Sequence, residues 1–148
     1  MKKLSLILLF VAGAFLSKAQ NNVADAQAIQ MLKEFYIAYN SEWISTVNPY
    51  PLQKKLDSLR RKYCTIQLRN KLKKMDLDHD ELINDQYTDI KHLKTLTVIK
   101  DPIKTNGYIV SYIAPTFDPT NKPVEEKIVI HVMVAKENGG FKIASVSE

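Results

Sequence analysis

The hydrophobic period of the chain changes once, near residue 93, and this change limits the folds that the sequence can adopt. Before residue 93 the apolar side chains recur every three or four residues, which is typical of helices. After it they alternate with period two in segments rich in Val, Ile, Tyr and Thr, which is typical of strands. Helices followed by a run of strands predict an α+β domain, with the helices packed on one face of an antiparallel sheet.

Three helices are predicted in the first half of the chain. Residues 22–44 place two neighbouring apolar stripes on a long first helix, which indicates a broad buried face. The NPYP segment at 48–51 ends this helix, because proline cannot continue the hydrogen-bond ladder. A second helix follows, and Thr65 is expected to cap a third helix, TIQLRNKLKKM.

Four strands are predicted in the second half: LKTLTVIKD, NGYIVSYIAP, EEKIVIHVMVAKENGG and FKIASVS. The Asn138-Gly139-Gly140 segment between the last two is a strong hairpin signal. The segment APTFDPTNKPVEE, which contains three prolines, predicts a turn-rich loop between the second and third strands. With no repeat and no second domain in view, residues 20–148 are predicted to form one α+β domain.

Residues 1–19 have the composition of a secretory signal peptide. Two lysines precede an apolar stretch from Leu4 to Leu16, and the small residues Ser17 and Ala19 mark a cleavage site. As a helix this stretch spans only about 20 Å, short of the roughly 30 Å hydrocarbon core, so a stable membrane anchor is not expected. The sequence therefore predicts a periplasmic or secreted protein that is cleaved after Ala19.

Removal of that segment lowers the net charge of the protein. Three of its residues are lysines, so the net charge falls from +5 for the full chain to +2 for the remainder, and a nucleic-acid partner is not expected. The charges are nevertheless segregated, because residues 50–75 contain nine Lys/Arg and one acid, whereas residues 76–89 contain six acids and no Lys/Arg. Such charge runs are usually solvated faces that keep a protein soluble. The functional alternative is a docking surface for a protein partner of complementary charge, and this surface would include Arg60, Arg61 and Lys62.

The sequence also resembles a known family. Its segments LKEFYIAYNSEW, LRRKYCTIQLRNKL, GYIVSY and IVIHVMVAKENGGFKIASV resemble, in this order, the exported family labelled domain of unknown function 3828. The closing pattern V-x-K-E-N-G-G-F-K-I-x-x-V is similar to domains of the nuclear transport factor 2-like superfamily. The resemblance implies a cone in which a curved antiparallel sheet wraps the helices around a pocket. That superfamily includes isomerases, hydrolases, binding modules and immunity proteins, so the resemblance does not fix the activity.

By this resemblance, a pocket for a small apolar ligand lies between the first helix and the concave face of the sheet. The residues implied as its lining are Tyr36, Tyr39, Trp43, Tyr63, Tyr112 and His131. An alternative is that the aromatic side chains are core, because a buried Tyr or Trp needs only one partner for its polar tip. Both faces of the strand IVIHVMV are apolar, so His131 is either a core histidine or a ligand-facing one.

The acidic segment DLDHDELINDQYTD, residues 76–89, suggests a calcium loop. Three aspartates occupy alternate positions from Asp76, as the loop requires. Glu81 and Tyr87, however, stand where the loop needs a turn-forming Gly and a bidentate Glu. A calcium-binding module therefore remains an alternative with a different geometry, and no metal ligand is assigned.

The same segment offers carboxylates for acid–base catalysis. Asp80, Glu81 and Asp85 are the candidate general bases, and His131 is a further catalytic candidate. The catalytic tyrosine and aspartate set of the isomerases has no matching positions here, so an isomerase- or hydrolase-like pocket enzyme is the alternative. We expect instead a non-enzymatic binding module without a cofactor, such as an inhibitor or immunity protein. Its oligomeric state is open, a dimer included.

Overall fold

The computed structural model describes residues 2–46, 48–75, 79–85 and 88–147, and the side chains from Asn22 onward. Its helices come first along the chain: α1 (Lys2–Ser45), α2 (Pro49–Tyr63), α3 (Ile66–Leu72) and α4 (Ile90–Thr95). The strands follow: β1 (Thr97–Lys100), β2 (Gly107–Phe117), β3 (Pro123–Glu137) and β4 (Gly140–Ser147). The strands form an antiparallel sheet in the order β1-β2-β3-β4, which confirms the predicted α+β class.

The structure does not describe the side chains of residues 1–19, so the predicted signal peptide lies outside the residues whose side chains are described. Within the described part of the chain, no helix combines the length and the apolar character needed to cross a membrane.

Local side-chain bonds begin α2 and α3. The Asn48 side chain accepts a hydrogen bond of 3.1 Å from the backbone of the first turn of α2, and Pro49 occupies the first helical position. The predicted cap of α3 is confirmed, because the Thr65 hydroxyl accepts a bond of 3.3 Å from the Leu68 backbone N–H. The NPYP segment therefore starts α2, whereas α1 already ends at Ser45.

The helix α4 lies where the sequence predicts the beginning of the first strand. The Asp89 side chain caps its first turn, and the Asp89 backbone N–H donates to Nδ1 of His92 at 2.9 Å. His92 is fully buried, with its ring centroid 4.6 Å from that of Tyr112 on β2. This reciprocal cap and this buried contact stabilise a short helix, so the strand starts only at Thr97.

Short turns connect β2 to β3 and β3 to β4. Asn138 and Gly139 have φ angles of 52° and 80°, and they form the predicted hairpin turn between β3 and β4. The long turn-rich loop predicted for APTFDPTNKPVEE is wrong, because β2 and β3 remain paired as far as Phe117 and Pro123. Both arms are extended, so the turn between them is confined to residues 118–122.

The sheet buries one face against the helices. The buried residues of this face are Val98, Tyr108, Val110, Tyr112, Ala114, Ile130, Val132, Val134, Ile143 and Val146. The last two are only three positions apart in β4, and both face the helices because the register shifts at a β-bulge. In the described pairing, Ser145 lies opposite Met133 and Ile143 opposite Val134, so the bulge absorbs Ala144.

Candidate functional site

The aromatic residues implied as a pocket lining form part of the core. Tyr36 and Tyr39 are fully buried on α1, and Tyr63 and Tyr112 are almost so. The Phe35 ring lies 5.0 to 5.5 Å from the rings of three tyrosines, Tyr36, Tyr39 and Tyr63, which is normal aromatic packing. Burial raises the pKa of Tyr36 and of Tyr39 well above the usual value, so both phenols are neutral. These rings therefore belong to the hydrophobic core.

One stripe of α1 keeps polar atoms inside this core. Tyr36, Asn40 and Trp43 follow one another at helical spacing, and Asn40 is fully buried. The Tyr36 hydroxyl, both amide atoms of Asn40 and Nε1 of Trp43 have no hydrogen-bond partner in the described residues. Buried polar atoms usually bind ordered water or a polar group. No sequence pattern marks Asn40 as a candidate site residue, because its burial depends on how α1 packs against the rest of the fold.

His131 lies on the other face of the sheet. It pairs with Ile109 and Ser147, whereas its neighbours Ile130 and Val132 face the helices. Its Nδ1 atom lies 3.6 Å from Oδ2 of Asp101, which follows β1 on the same outer face. The structure therefore separates His131 from the core tyrosines and from the acidic segment, because alternate residues of a strand face opposite sides.

Asp80, the first catalytic candidate, joins three parts of the chain. Its Oδ2 atom accepts a hydrogen bond of 2.7 Å from the Tyr39 hydroxyl and one of 2.8 Å from Nη2 of Arg60. Its Oδ1 atom accepts a third bond, of 3.0 Å, from the backbone N–H of Leu82. The Asp80 side chain is only 9% exposed and that of Arg60 is 20% exposed. A carboxylate held by so many donors fixes α1, α2 and the acidic segment together, and this is a structural role.

The other two candidate bases are also engaged. Glu81 lies 3.6 Å from Nζ of Lys71, and Asp85 lies 3.3 Å from Nε2 of His92. Between them, Leu82 and Ile83 are fully buried at the junction of the helices and the sheet. A small cavity of about 70 Å³ beside Glu81 is lined by His79, Glu81, Asn84, Ile130, Val146 and Ser147. His131 is not among these residues, so the four catalytic candidates do not share one site.

The calcium hypothesis depends on three residues, Asp76, Asp78 and Tyr87, that lie outside the described part of the chain. Asp80, the next residue of that pattern, is bound to Tyr39 and Arg60. Among the described residues, no group of three or more His, Cys, Asp or Glu side chains is arranged to hold a metal ion.

A cationic pocket lies between α2 and α3. Its volume is about 100 Å³, and its lining consists of Asp57, Arg60, Arg61, Arg69, Leu72 and Lys73. We call these residues the basic pocket. Of these residues, Arg60 is paired on two sides, with Asp80 at 2.8 Å and with Asp57 at 3.3 Å.

The other cations of the basic pocket lack such partners. Arg61, Arg69 and Lys73 form no ion pair with a carboxylate of the described residues. The Nε atoms of Arg60 and Arg69 are buried and have no hydrogen-bond partner there. The grouping of these cations without carboxylate partners around one pocket favours a negatively charged ligand.

Two residues of this region, Lys62 and Cys64, do not line the basic pocket. Lys62, predicted as part of the docking surface, lies outside the lining, with Nζ 4.7 Å from the centroid of the Tyr63 ring. Burial raises the pKa of the Cys64 thiol to about 12, although Arg60 and Arg69 act in the opposite direction. Cys64 is therefore a neutral, buried thiol.

The sequence indicates Arg60 and Arg61 but not their pocket partners Arg69 and Lys73. The excess of cations over residues 50–75 was the available signal. Only the packing of α3 beside α2 shows which of these cations lie around one cavity.

Comparisons with known proteins support the fold. No family model matches the chain, and no curated protein matches it. The chain is similar in structure to a protein of unknown function from Bacteroides thetaiotaomicron VPI-5482, with a TM-score of 0.75 and 24% sequence identity. The similarity covers 93% of this chain and 99% of that chain, so the whole architecture is shared. Membership of the domain of unknown function 3828 family and of the nuclear transport factor 2-like superfamily stays a prediction.

Proposed function

We propose that this protein is an exported, non-enzymatic binding module that docks onto an acidic protein partner through α2 and α3. The observation that carries the proposal is the set of cations on these helices that lack carboxylate partners in the described residues. Arg61 and Lys62 are exposed, so a partner can reach them. An inhibitor or immunity protein is one version of this function.

The charges of this surface favour association with an acidic partner. Exposed charges of one sign steer an oppositely charged protein toward the surface and raise the rate of encounter. Their contribution falls with ionic strength, because the Debye length shortens from about 10 Å at 0.1 M salt to about 3 Å at 1 M. Binding that involves this surface must therefore weaken as salt is added.

The proposal is tested with the purified protein, expressed from the full chain and immobilised. We expect it to retain an acidic envelope protein at low salt, and we expect the double variant Arg61→Glu, Lys62→Glu to lose that protein. The matched control is Lys122→Glu, Lys127→Glu, which reverses two exposed charges in the β2–β3 hairpin. If both double variants retain the partner equally, docking through α2 and α3 is wrong.

The alternatives have less support. An apolar ligand would need the space that the tyrosines of the core occupy, although the buried polar stripe of Tyr36, Asn40 and Trp43 gives such a ligand polar contacts. A pocket enzyme would need an available base near a cavity. Asp80 is bonded to Tyr39 and Arg60, and Glu81 is the candidate that lines a cavity.

A further inference from the structure

The basic pocket has the dimensions of a site for one small ion. Its volume of about 100 Å³ corresponds to roughly three water molecules at about 30 Å³ each. A group of four oxygen atoms around one central atom is of this size. Because α2 and α3 contribute its walls, the donors approach such a group from two sides.

The charge of the pocket identifies the class of ion. Arg60, Arg61, Arg69 and Lys73 supply four positive charges. Among the described residues, Asp57 in the lining and Asp80 bonded to Arg60 supply two negative charges, so two positive charges are left. A carboxylate would neutralise one of them. A phosphate group carries about −1.5 to −2 at pH 7 and would neutralise both.

The donors are of the type that binds oxyanions. Three of the four cations are arginines, whose planar guanidinium groups match phosphate and carboxylate oxygens with paired N–H donors. In the described chain, Asp80 and Asp57 are bonded to Arg60, whereas Arg61 and Arg69 have no carboxylate partner and keep their charge available to an oxyanion. We propose that the basic pocket binds a phosphate group, either as inorganic phosphate or as the end of a phosphomonoester. Binding of phosphate at this pocket does not require a protein partner.

Calorimetric titration of the purified protein at pH 7.5 and low ionic strength tests the proposal, with inorganic phosphate, sulfate, phenyl phosphate and acetate as probes. We expect phosphate and sulfate to bind at least about tenfold more tightly than acetate, because both carry two charges and four oxygens. Binding of phenyl phosphate as tight as that of phosphate would identify the phosphomonoester as the ligand, and its exclusion would identify free phosphate.

Variants locate the site. Arg69→Gln and Lys73→Gln should each weaken phosphate binding about tenfold or more, since each removes a charged donor from the pocket. Lys54→Gln removes an exposed charge from α2 outside the lining and should change binding less than about twofold. Lys73 is exposed, so its variant tests the pocket without removing any buried atom.

Three results would overturn the proposal. Absence of phosphate binding rejects it, and acetate binding as tight as phosphate shows a carboxylate site instead. An equal loss in Lys54→Gln and Lys73→Gln shows only a diffuse attraction to positive charge. The two tests are distinguished by what they measure, because the partner test measures retention of a protein by Arg61→Glu, Lys62→Glu, whereas phosphate binding is measured on Arg69→Gln and Lys73→Gln.

Discussion

Arg60 and Arg69 lie around the same basic pocket, yet their surroundings differ. Arg60 is bonded to Asp80 and Asp57, and its guanidinium lies 5.5 Å above the Tyr39 ring. Arg69 forms no ion pair within the described residues, although its Nε atom is buried. The junction around Asp80 thus balances its charges within the chain, whereas the pocket around Arg69 does not.

This difference distinguishes charges that stabilise the fold from charges that are available to bind a ligand. A buried charge with partners on both sides contributes to the fold, and removal of one partner leaves the other charge uncompensated. A charge without a partner in the chain contributes little to the fold and is available to a ligand that supplies the opposite charge. Loss of the partner of Arg60 should therefore destabilise the fold, whereas loss of Arg69 should leave its stability almost unchanged.

The largest effect is expected for Asp80→Asn. This change leaves Arg60 and the Tyr39 hydroxyl without their shared carboxylate, and it should lower the free energy of unfolding by about 3 kcal/mol. Chemical denaturation of the purified protein measures the loss. The control is Asp57→Asn, because the Asp57 side chain is 47% exposed and its pair with Arg60 should contribute less than about 1 kcal/mol. Equal losses in the two variants would show that Asp80 is not the stabilising partner.

A smaller, pH-dependent effect is expected for Asp25→Asn. Asp25 accepts hydrogen bonds from Lys100 Nζ at 2.8 Å and from the Tyr108 hydroxyl at 2.6 Å, so it too has its charge balanced within the chain. These bonds, that of Lys100 first, hold the pKa of Asp25 below its ordinary value of 3.8. The stabilisation is present above that value and is lost as the pH falls through the lowered pKa.

The difference in unfolding free energy between wild type and Asp25→Asn should accordingly be largest near pH 6 and should shrink below about pH 3.8. Denaturant titrations at several pH values measure it. A difference that stays constant down to pH 2 would mean that the carboxylate does not stabilise the fold through its charge.

The smallest effect on stability is expected for Arg69→Gln. Since Arg69 has no carboxylate partner among the described residues, its replacement should change the free energy of unfolding by less than about 0.5 kcal/mol. Thermal and chemical denaturation measure the change. A loss comparable to that of Asp80→Asn would place Arg69 among the stabilising charges and remove the distinction between the two arginines.

The fold class and most element positions could be predicted because the hydrophobic period is a local property. The caps at Thr65 and the turn at Asn138-Gly139 are equally local and were predicted for the same reason. The helix α4 was missed because its cap uses His92 where the usual pattern has Glu or Gln. The extended β2–β3 arms were missed because strand pairing overrides the local preference of proline for loops.

The candidate site could be predicted only in part. The excess of positive charge over residues 50–75 is visible in the sequence, but the grouping of Arg60 with Arg69 depends on how two helices pack. His131 illustrates the same limit in the sheet. Its alternation with Ile130 and Val132 was clear, but both faces of the strand are apolar, so the side that the helices cover was ambiguous.

The bulge in β4 makes the length of this strand adjustable. Ile143 lies opposite Val134 and Val146 opposite Val132, and these two pairings would survive if Ala144 were removed and Ser145 directly followed Ile143. A single-residue deletion normally exchanges the inner and outer side chains of a strand. Deletion of Ala144 would instead leave the Ile143 and Val146 side chains against the helices. At this position β4 should therefore tolerate a deletion of one residue.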